Sequence, residues 1–144
     1  MVVYRLCNER YAGKLDGEGA RKYGGRWNSP GVAVVYTASS VSLAVLETRV
    51  HLRTPPISYV LLAIQIDTSL AIQQTVDPRT LPIGWQSNID VTRHIGDSIF
   101  TSTESLYLYV PSVVVSGEWN ILFSDRFAST NAKIVEKTLF EFDT

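Results

Sequence analysis

The sequence predicts a single α+β domain. Short β-type runs outnumber two helical segments, and the two kinds of element do not alternate as regular βαβ units would require. The chain has 144 residues, which suits one compact domain. Its composition is 45% hydrophobic and 19% charged, which supplies a sizeable core and excludes a disordered chain. We therefore expect one folding unit over residues 1–144.

Strand character recurs along the chain in short segments. They lie at residues 2–6, 32–37, 58–66, 70–75, 106–110 with an extended continuation at 113–115, 119–124 and 132–142. The segment SYVLLAIQI at 58–66 is apolar on both faces, which indicates a buried central strand, whereas 70–75 is expected at an edge.

The first predicted helix spans residues 41–52, which contain neither Gly nor Pro. Ser39 or Ser40 can cap its first turn, and Pro55-Pro56 stops it. A second helix is expected over residues 91–103.

Two features qualify the rest of the secondary structure. Asp90 is the expected cap of the second helix, and Gly96 weakens that helix. Residues 8–23 are polar and contain three glycines, which favours a loop or a broken helix.

The first helix directs one carboxylate inward. At about 100° per residue, Ser42 and Arg49 share the solvent face, whereas Glu47 and His51 point to the opposite side. A carboxylate among apolar neighbours is costly unless it is paired or hydrogen-bonded, and Arg26 is the partner we expect. Such a carboxylate belongs either to a structural ion pair that holds a loop or to an active site.

The segment upstream of the helix favours an active site. Gly24-Gly25 lets the backbone reach positive φ or approach a ligand closely. Arg26, Trp27 and Tyr36 follow in the same short segment. We therefore interpret this part of the chain as its functional centre.

Composition argues against several other functions. The formal net charge is −1 and the basic residues are scattered, so direct nucleic-acid binding is not expected. Cys7 is the single cysteine, and together with two well-separated histidines, His51 and His94, it gives no metal-ligand spacing. The apolar start is too short for a secretory signal and no apolar run approaches the roughly 20 residues that cross a bilayer. We expect a cytoplasmic protein with no metal and no membrane segment.

Five motifs in this order resemble the RES domain family. They are Arg26 in GGRWNSPG, Tyr36 in VVYTA, Glu47 in LAVLE, Ser112 in YVPSVVV and Asn120 in WNILF. The resemblance runs from YRL at residues 4–6 to the final FEFD. One departure is Ser124-Asp125, where many members have Asn-Pro; we interpret it as a change in a loop outside the catalytic set.

The resemblance implies a toxin of a bacterial type II toxin–antitoxin pair. Its fold would be a mixed β-sheet core with a few helices, similar to ADP-ribosyltransferase toxins. The implied partners are an Xre-type helix-turn-helix antitoxin and a second copy of the chain in a homodimer. The implied activity is destruction of NAD by phosphorolysis or hydrolysis of the nicotinamide–ribose bond. NAD would be the substrate, inorganic phosphate a co-substrate, and no cofactor would be needed.

Two alternatives to NAD destruction stay open. The chain could transfer ADP-ribose to a protein target, as some members of the family are reported to do. It could instead bind NAD or ADP-ribose without turnover, as a subunit of a repressor complex.

The resemblance also implies a set of site residues. Glu47, Arg26, Tyr36 and Ser112 would be catalytic, and Arg5 and Asn120 would join Arg26, Tyr36 and Ser112 in binding NAD. Glu47 would stabilise a ribose that becomes oxocarbenium-like, as in glycoside chemistry. The two arginines suit the pyrophosphate or an incoming phosphate, since a guanidinium is a planar fork for phosphate oxygens.

The remaining side chains have less specific interpretations. Tyr36 would stack on the nicotinamide ring or close the pocket. Ser112 would hydrogen-bond a ribose or phosphate oxygen, although a serine after a proline often only caps local backbone. His51 would either orient Glu47 or be an ordinary core histidine.

Overall fold

The computed structural model describes residues 1–50, 58–102 and 104–142. Its strands are β1 Val2–Asn8, β2 Val34–Ala38, β3 Tyr59–Ile66, β4 Ile72–Thr75, β5 Leu106–Pro111, β6 Trp119–Ser124 and β7 Ala132–Phe140. Its α-helices are α1 Glu18–Tyr23, α2 Val41–Arg49, α3 Ile89–Phe100 and α4 Asp125–Asn131. Short 3₁₀ turns occur at Glu9–Tyr11, Pro78–Thr80 and Trp85–Ser87.

All seven strands form one sheet in the order β4-β5-β6-β2-β1-β3-β7. β4 and β5 are parallel, and every other neighbouring pair is antiparallel. The predicted α+β class with a mixed sheet is therefore confirmed. β2, which carries Tyr36, is the middle strand of the seven.

The two faces of the sheet bury separate cores. The far face, as we call it, carries Val35, Ile121 and Phe123, which pack against Phe127 of α4. The site face carries Tyr36, Leu108 and Leu122, which pack beneath Trp27 and the residues of α3. Neighbouring residues along a strand alternate between these faces.

β1 and β2 meet at one residue pair only, Tyr4 with Ala38. β1 otherwise pairs with β3 along its whole length. β1 and β2 therefore separate on one side of this residue pair.

Several predicted elements differ from the observed ones. The segment 58–66 contains β3, which is the sixth of the seven strands and therefore interior but not central. Only one of its faces is fully buried, so it is not covered on both sides as predicted. Asn88, not Asp90, caps α3, since its side chain accepts a hydrogen bond from Val91 N. Residues 113–115 bend instead of continuing β5, because the Ser112 hydroxyl accepts hydrogen bonds from Val114 N and Val115 N.

Residues 8–23 form a broken helix as predicted, whereas α4 was not predicted. Ser124 is not part of a loop: its side chain accepts a hydrogen bond from Phe127 N and caps α4. The predicted edge position of β4 is confirmed. No helix among the described residues is long and apolar enough to cross a bilayer.

Candidate active site

Helix α2 carries Glu47 on the side that faces the sheet. Ser40 caps its first turn by accepting a hydrogen bond from Leu43 N. Leu43 and Ala44 are buried against Ala38 at the end of β2. The Thr48 hydroxyl lies 2.9 Å from the Ala44 carbonyl of its own helix and 3.4 Å from the Leu6 carbonyl of β1. Glu47 lies on the same side of the helix as these residues and is half-buried, while Ser42 and Arg49 are exposed. The predicted orientation of Glu47 is confirmed.

Glu47 and Ser112 form what we call the acid pair. The Ser112 hydroxyl donates a hydrogen bond of 2.6 Å to Glu47 Oε1. The Ser112 hydroxyl oxygen also accepts hydrogen bonds from Val114 N at 3.1 Å and Val115 N at 3.0 Å. A hydroxyl has one proton and two acceptor sites, so Ser112 uses its full capacity in holding the carboxylate.

This geometry corrects two interpretations from sequence. The partner of Glu47 is Ser112 and not Arg26, whose Nη1 donates to the Gln86 carbonyl at 2.7 Å. Ser112 is buried, and its hydroxyl forms all of its hydrogen bonds within the protein. In this arrangement its hydroxyl has no hydrogen-bonding capacity left for a ribose or phosphate oxygen.

The arginine loop, residues 24–29, forms the other side of the site. Its centre is Asn28, which is fully buried. The Asn28 amide donates to the carbonyls of Ala20, Ser29 and Val32, and its oxygen accepts a 2.7 Å hydrogen bond from the Tyr36 hydroxyl. The Tyr36 oxygen also accepts from Trp27 N at 2.9 Å. Tyr36 thus ties the loop to β2.

Helix α3 holds the same loop from outside. Thr92 is buried and its hydroxyl donates to the Arg26 carbonyl at 2.5 Å. Asp97 accepts two hydrogen bonds from Ser29, one from its backbone N at 2.8 Å and one from its hydroxyl at 2.5 Å. A Cβ on Gly96 would lie 1.6 Å from the Trp27 carbonyl oxygen, so the helix can approach the loop only because this residue has no side chain.

The hydroxyl of Tyr36 is held in its neutral form. Burial raises the pKa of Tyr36 above its ordinary value. The hydrogen bond from Trp27 N and the positive charges of Arg93 and Arg26 lower that pKa, but burial outweighs them. Tyr36 is therefore a hydrogen-bonding anchor whose hydroxyl is committed to the loop.

Asn120 lies on the site face and Arg5 does not. Asn120 pairs with Ala38 of β2 and with Val110 of β5, and its amide donates to the Thr37 carbonyl at 3.3 Å. Arg5 pairs with Leu62, a residue of the far-face core, and paired residues of neighbouring strands point to the same face, so Arg5 points to the far face. The contact of Arg5 with NAD stays a prediction.

The structure thus brings five of the six proposed residues to one face. They are Arg26, Tyr36, Glu47, Ser112 and Asn120. Tyr36, which binds the loop, and Ala38, on which the helix packs, are two residues apart on β2, which is about 7 Å along the strand, and they point to the same face. His51 lies outside the described residues.

Sequence reasoning missed the residues that support the loop. Asn28 stands inside the GGRWNSPG motif without a role predicted for it, and the sequence analysis assigns nothing to Thr92 or Asp97. Their partners lie 66 and 68 residues away for Thr92 and Asp97, so no local pattern reveals them. The one local signal was Gly96, a glycine inside a helix, which often marks a close contact.

The arrangement combines two arginine side chains near the loop with a carboxylate held by a hydroxyl. Among residues 1–50, 58–102 and 104–142, no group of three or more His, Cys, Asp or Glu side chains could hold a metal ion. A separate cavity of about 560 Å³ lies away from this site, between residues 13–16 and α4. It does not include any of the six proposed residues.

The fold is similar to that of a solved structure. A chain of the Mycobacterium tuberculosis MbcT–MbcA toxin–antitoxin complex matches with a TM-score of 0.73, over 97% of this chain and 84% of the other. The two are 17% identical, so this likeness concerns the fold alone.

Sequence comparison is more specific. The family model for the RES domain matches residues 2–143. The Toxin Res of Yersinia enterocolitica is 38% identical over 148 residues, which cover 99% of this chain and 97% of that protein. The Prs ADP-ribosylating toxin of a Sphingobium species is 38% identical, with 90% of this chain and 86% of that protein covered. The chain belongs to the RES domain family of toxins.

Proposed function

We propose that this toxin cleaves NAD at the nicotinamide–ribose bond. The observation that carries the proposal is the Glu47 carboxylate, fixed by Ser112 at 2.6 Å beside the arginine loop on one face of the sheet. The relative from Sphingobium, named an ADP-ribosylating toxin, supports it, since ADP-ribosylation begins by breaking this same bond.

The chemistry requires little from the leaving group. When the bond from ribose C1′ to nicotinamide breaks, its electron pair moves onto the cationic ring, and nicotinamide departs neutral without an acid. The ribose becomes oxocarbenium-like, and a carboxylate fixed beside it stabilises the developing positive charge. Glu47 has this role in our proposal, and Ser112 keeps it aimed without moving.

The acceptor completes the reaction. Inorganic phosphate attacking C1′ gives a phosphorylated ADP-ribose, whereas water gives ADP-ribose and a proton. In our proposal Arg26 binds the pyrophosphate of NAD in either reaction, because one nitrogen of its guanidinium is anchored on the Gln86 carbonyl and the fork keeps further donors.

Product analysis tests the activity. Purified protein is incubated with NAD at several phosphate concentrations, and nicotinamide, ADP-ribose and its phosphorylated form are separated by chromatography. We expect nicotinamide release, with the phosphorylated product rising with phosphate. If no nicotinamide is released while NAD or ADP-ribose binds, the chain is a binding subunit and the enzymatic proposal is wrong.

Transfer of ADP-ribose to a protein is the second candidate, favoured by the name of the Sphingobium relative. The two activities differ in the acceptor at C1′ and share the roles of Glu47 and Arg26. NAD labelled in its adenylate part, incubated with the toxin and bacterial extract, distinguishes them. Label on a protein supports transfer, and label only in small molecules supports degradation.

We also propose that the toxin acts in the cytoplasm, where NAD is found, and is neutralised by an Xre-type antitoxin. The toxin–antitoxin complex that shares its fold supports an antitoxin partner. Co-expression with the product of an adjacent gene for a helix-turn-helix protein, followed by co-purification and sizing, tests the partner and the proposed homodimer together. Growth arrest that the partner does not relieve would contradict the pairing.

A further inference from the structure

Arg93 of α3 lies against the glycines of the arginine loop, and the proposed chemistry does not use it. Its Nε donates a hydrogen bond of 2.8 Å to the Gly25 carbonyl. A Cβ on Gly24 would lie 2.7 Å from Arg93 Nη2, so the guanidinium runs along a backbone that has no side chains. Because Gly24 and Gly25 have no side chains, a ligand can contact both their backbone and the Arg93 guanidinium.

In the part of the chain that the structure describes, Arg93 forms no ion pair. The ion pairs of the described residues are Arg21 with Glu18 and Arg79 with Asp77. Asp97, one turn along α3, directs both carboxylate oxygens to Ser29.

Arg26, a residue of the loop itself, also takes no part in these ion pairs. Its guanidinium bonds to the neutral Gln86 carbonyl. Both arginines lie close enough to the Tyr36 hydroxyl to lower its pKa. Two guanidinium groups that form no ion pair among the described residues therefore lie near Gly24-Gly25.

We propose that Arg93 joins Arg26 in a phosphate-binding subsite over the Gly24-Gly25 backbone, which receives the pyrophosphate of NAD; this rests on the proposed function. A pyrophosphate carries one negative charge on each phosphate, so two guanidinium groups match it in number. Each keeps unused N–H donors, since a guanidinium has five and one in each is bonded to a backbone carbonyl. Arg93 thereby sets specificity for a substrate with two phosphates.

Three variants separate charge from loop positioning. Arg93→Gln and Arg93→Lys both lose the Nε bond to Gly25, but only Arg93→Gln loses the positive charge. Arg126→Gln is the matched control, because Arg126 is exposed and also donates to a backbone carbonyl, that of Ser102, at 2.8 Å. Thermal unfolding of each variant establishes that it is folded.

Binding of inorganic pyrophosphate and of ADP-ribose is measured by calorimetry. We expect Arg93→Gln to raise both dissociation constants at least about tenfold, which is the effect of losing one charge-assisted hydrogen bond. Arg93→Lys should raise them about threefold or less, and Arg126→Gln should leave them unchanged. The KM for NAD should follow the same order, with kcat unaltered.

Each other outcome overturns the proposal. If Arg93→Gln binds pyrophosphate as wild type does, Arg93 has no part in binding. If Arg93→Lys is as weak as Arg93→Gln, the bond to Gly25 and not the charge accounts for the effect. If neither pyrophosphate nor ADP-ribose binds to the wild-type protein, the proposed subsite does not exist.

A measurement on the wild type alone covers the case in which Arg93→Gln does not fold. Pyrophosphate should protect Arg93 and Arg26 from modification by phenylglyoxal, read by mass spectrometry, and should not protect Arg126. Equal modification of Arg93 with and without pyrophosphate overturns the proposal. If Arg93-dependent binding is found but no nicotinamide is released, the subsite stands and the proposed enzymatic function fails.

Discussion

The two sides of the candidate site are held in place by different means. The arginine loop is held from both sides by several side chains, with Asn28 and Tyr36 beneath it and Thr92 and Asp97 above it; Asn28 and Thr92 are buried, and Tyr36 and Asp97 are half-buried. The carboxylate of Glu47, in contrast, is held by one hydroxyl, that of Ser112, on a half-buried helix position.

This difference predicts how mutations divide between stability and activity. Buried polar groups that lose a partner cost folding free energy, so changes around the loop should destabilise the protein. A half-exposed carboxylate costs little to replace, so changes at Glu47 should affect the chemistry first, whereas the loss of the buried Ser112 hydroxyl also removes the acceptor of two backbone N–H groups. The loop is the rigid side of the site, and the acid pair is the reactive one.

The largest effect on stability is expected from Gly96→Ala. The new Cβ would lie 1.6 Å from the Trp27 carbonyl oxygen, so α3 must separate from the loop. We expect a loss of about 4 kcal/mol or more in the free energy of unfolding, or failure to fold, as measured by urea denaturation. Gly19→Ala is the control, because nothing lies within 4 Å of a Cβ there. A folded Gly96→Ala protein of wild-type stability would contradict the packing of α3 on the loop.

Tyr36→Phe should have the next largest effect. It removes the hydroxyl that Trp27 N donates to and that donates to Asn28, and so leaves two groups without their partner. We expect a loss of about 1–3 kcal/mol in unfolding free energy. Tyr11→Phe, at a residue that is 65% exposed, should change stability by less than about 0.5 kcal/mol. Equal effects of the two substitutions would show that the Tyr36 bonds contribute nothing.

The same tyrosine gives the protein a pH dependence in the alkaline range. Burial raises the pKa of Tyr36 in the folded state, so the unfolded state loses this proton first as the pH rises above about 10. The unfolded state then binds fewer protons than the folded state, and stability falls with increasing pH. The stabilisation is fully present below about pH 10 and is lost as the pH approaches the raised value.

Urea denaturation from about pH 9 to about pH 11.5 measures this loss. The slope should be at most about 1.4 kcal/mol per pH unit for one proton, and it should be shallower in Tyr36→Phe. Identical slopes in the two proteins would mean that Tyr36 does not titrate differently on folding.

The smallest of these effects is expected from Ser112→Ala. Glu47 keeps its charge but loses the hydroxyl that aims it, so kcat for nicotinamide release should fall about tenfold, or about 1.4 kcal/mol, with little change in KM. Ser116→Ala, at an exposed position in the same turn, should retain wild-type kcat. If Ser112→Ala instead raises KM alone, the serine contacts substrate and is not a positioning residue.

The sequence predicted what depends on local periodicity. The inward direction of Glu47 followed from about 3.6 residues per helical turn, and it is confirmed beside Leu43 and Ala44. The resemblance to the RES family is confirmed over residues 2–143. The helix α4 was missed because its seven residues, DRFASTN, are too short to show a period.

Contacts between distant parts of the chain were not predictable from pattern. Glu47 and Ser112 are 65 residues apart, and nothing in either motif indicates that they meet. The predicted Arg26–Glu47 ion pair was wrong for the same reason. It was inferred from opposite charge alone, whereas in the folded protein Glu47 bonds to the Ser112 hydroxyl and Arg26 to the Gln86 carbonyl. Strand alternation predicts faces only when the register is known, so the far-face position of Arg5 required the structure.

The most direct test of the account is nicotinamide release by Glu47→Gln, with Glu136→Gln, an exposed residue of β7, as the matched control. The amide keeps the shape of the side chain and removes its charge. We predict that Glu47→Gln remains folded with unchanged thermal stability and releases nicotinamide at least about a hundredfold more slowly, while Glu136→Gln matches wild type. A Glu47→Gln protein that is folded and cleaves NAD at the wild-type rate would contradict the central role of this carboxylate.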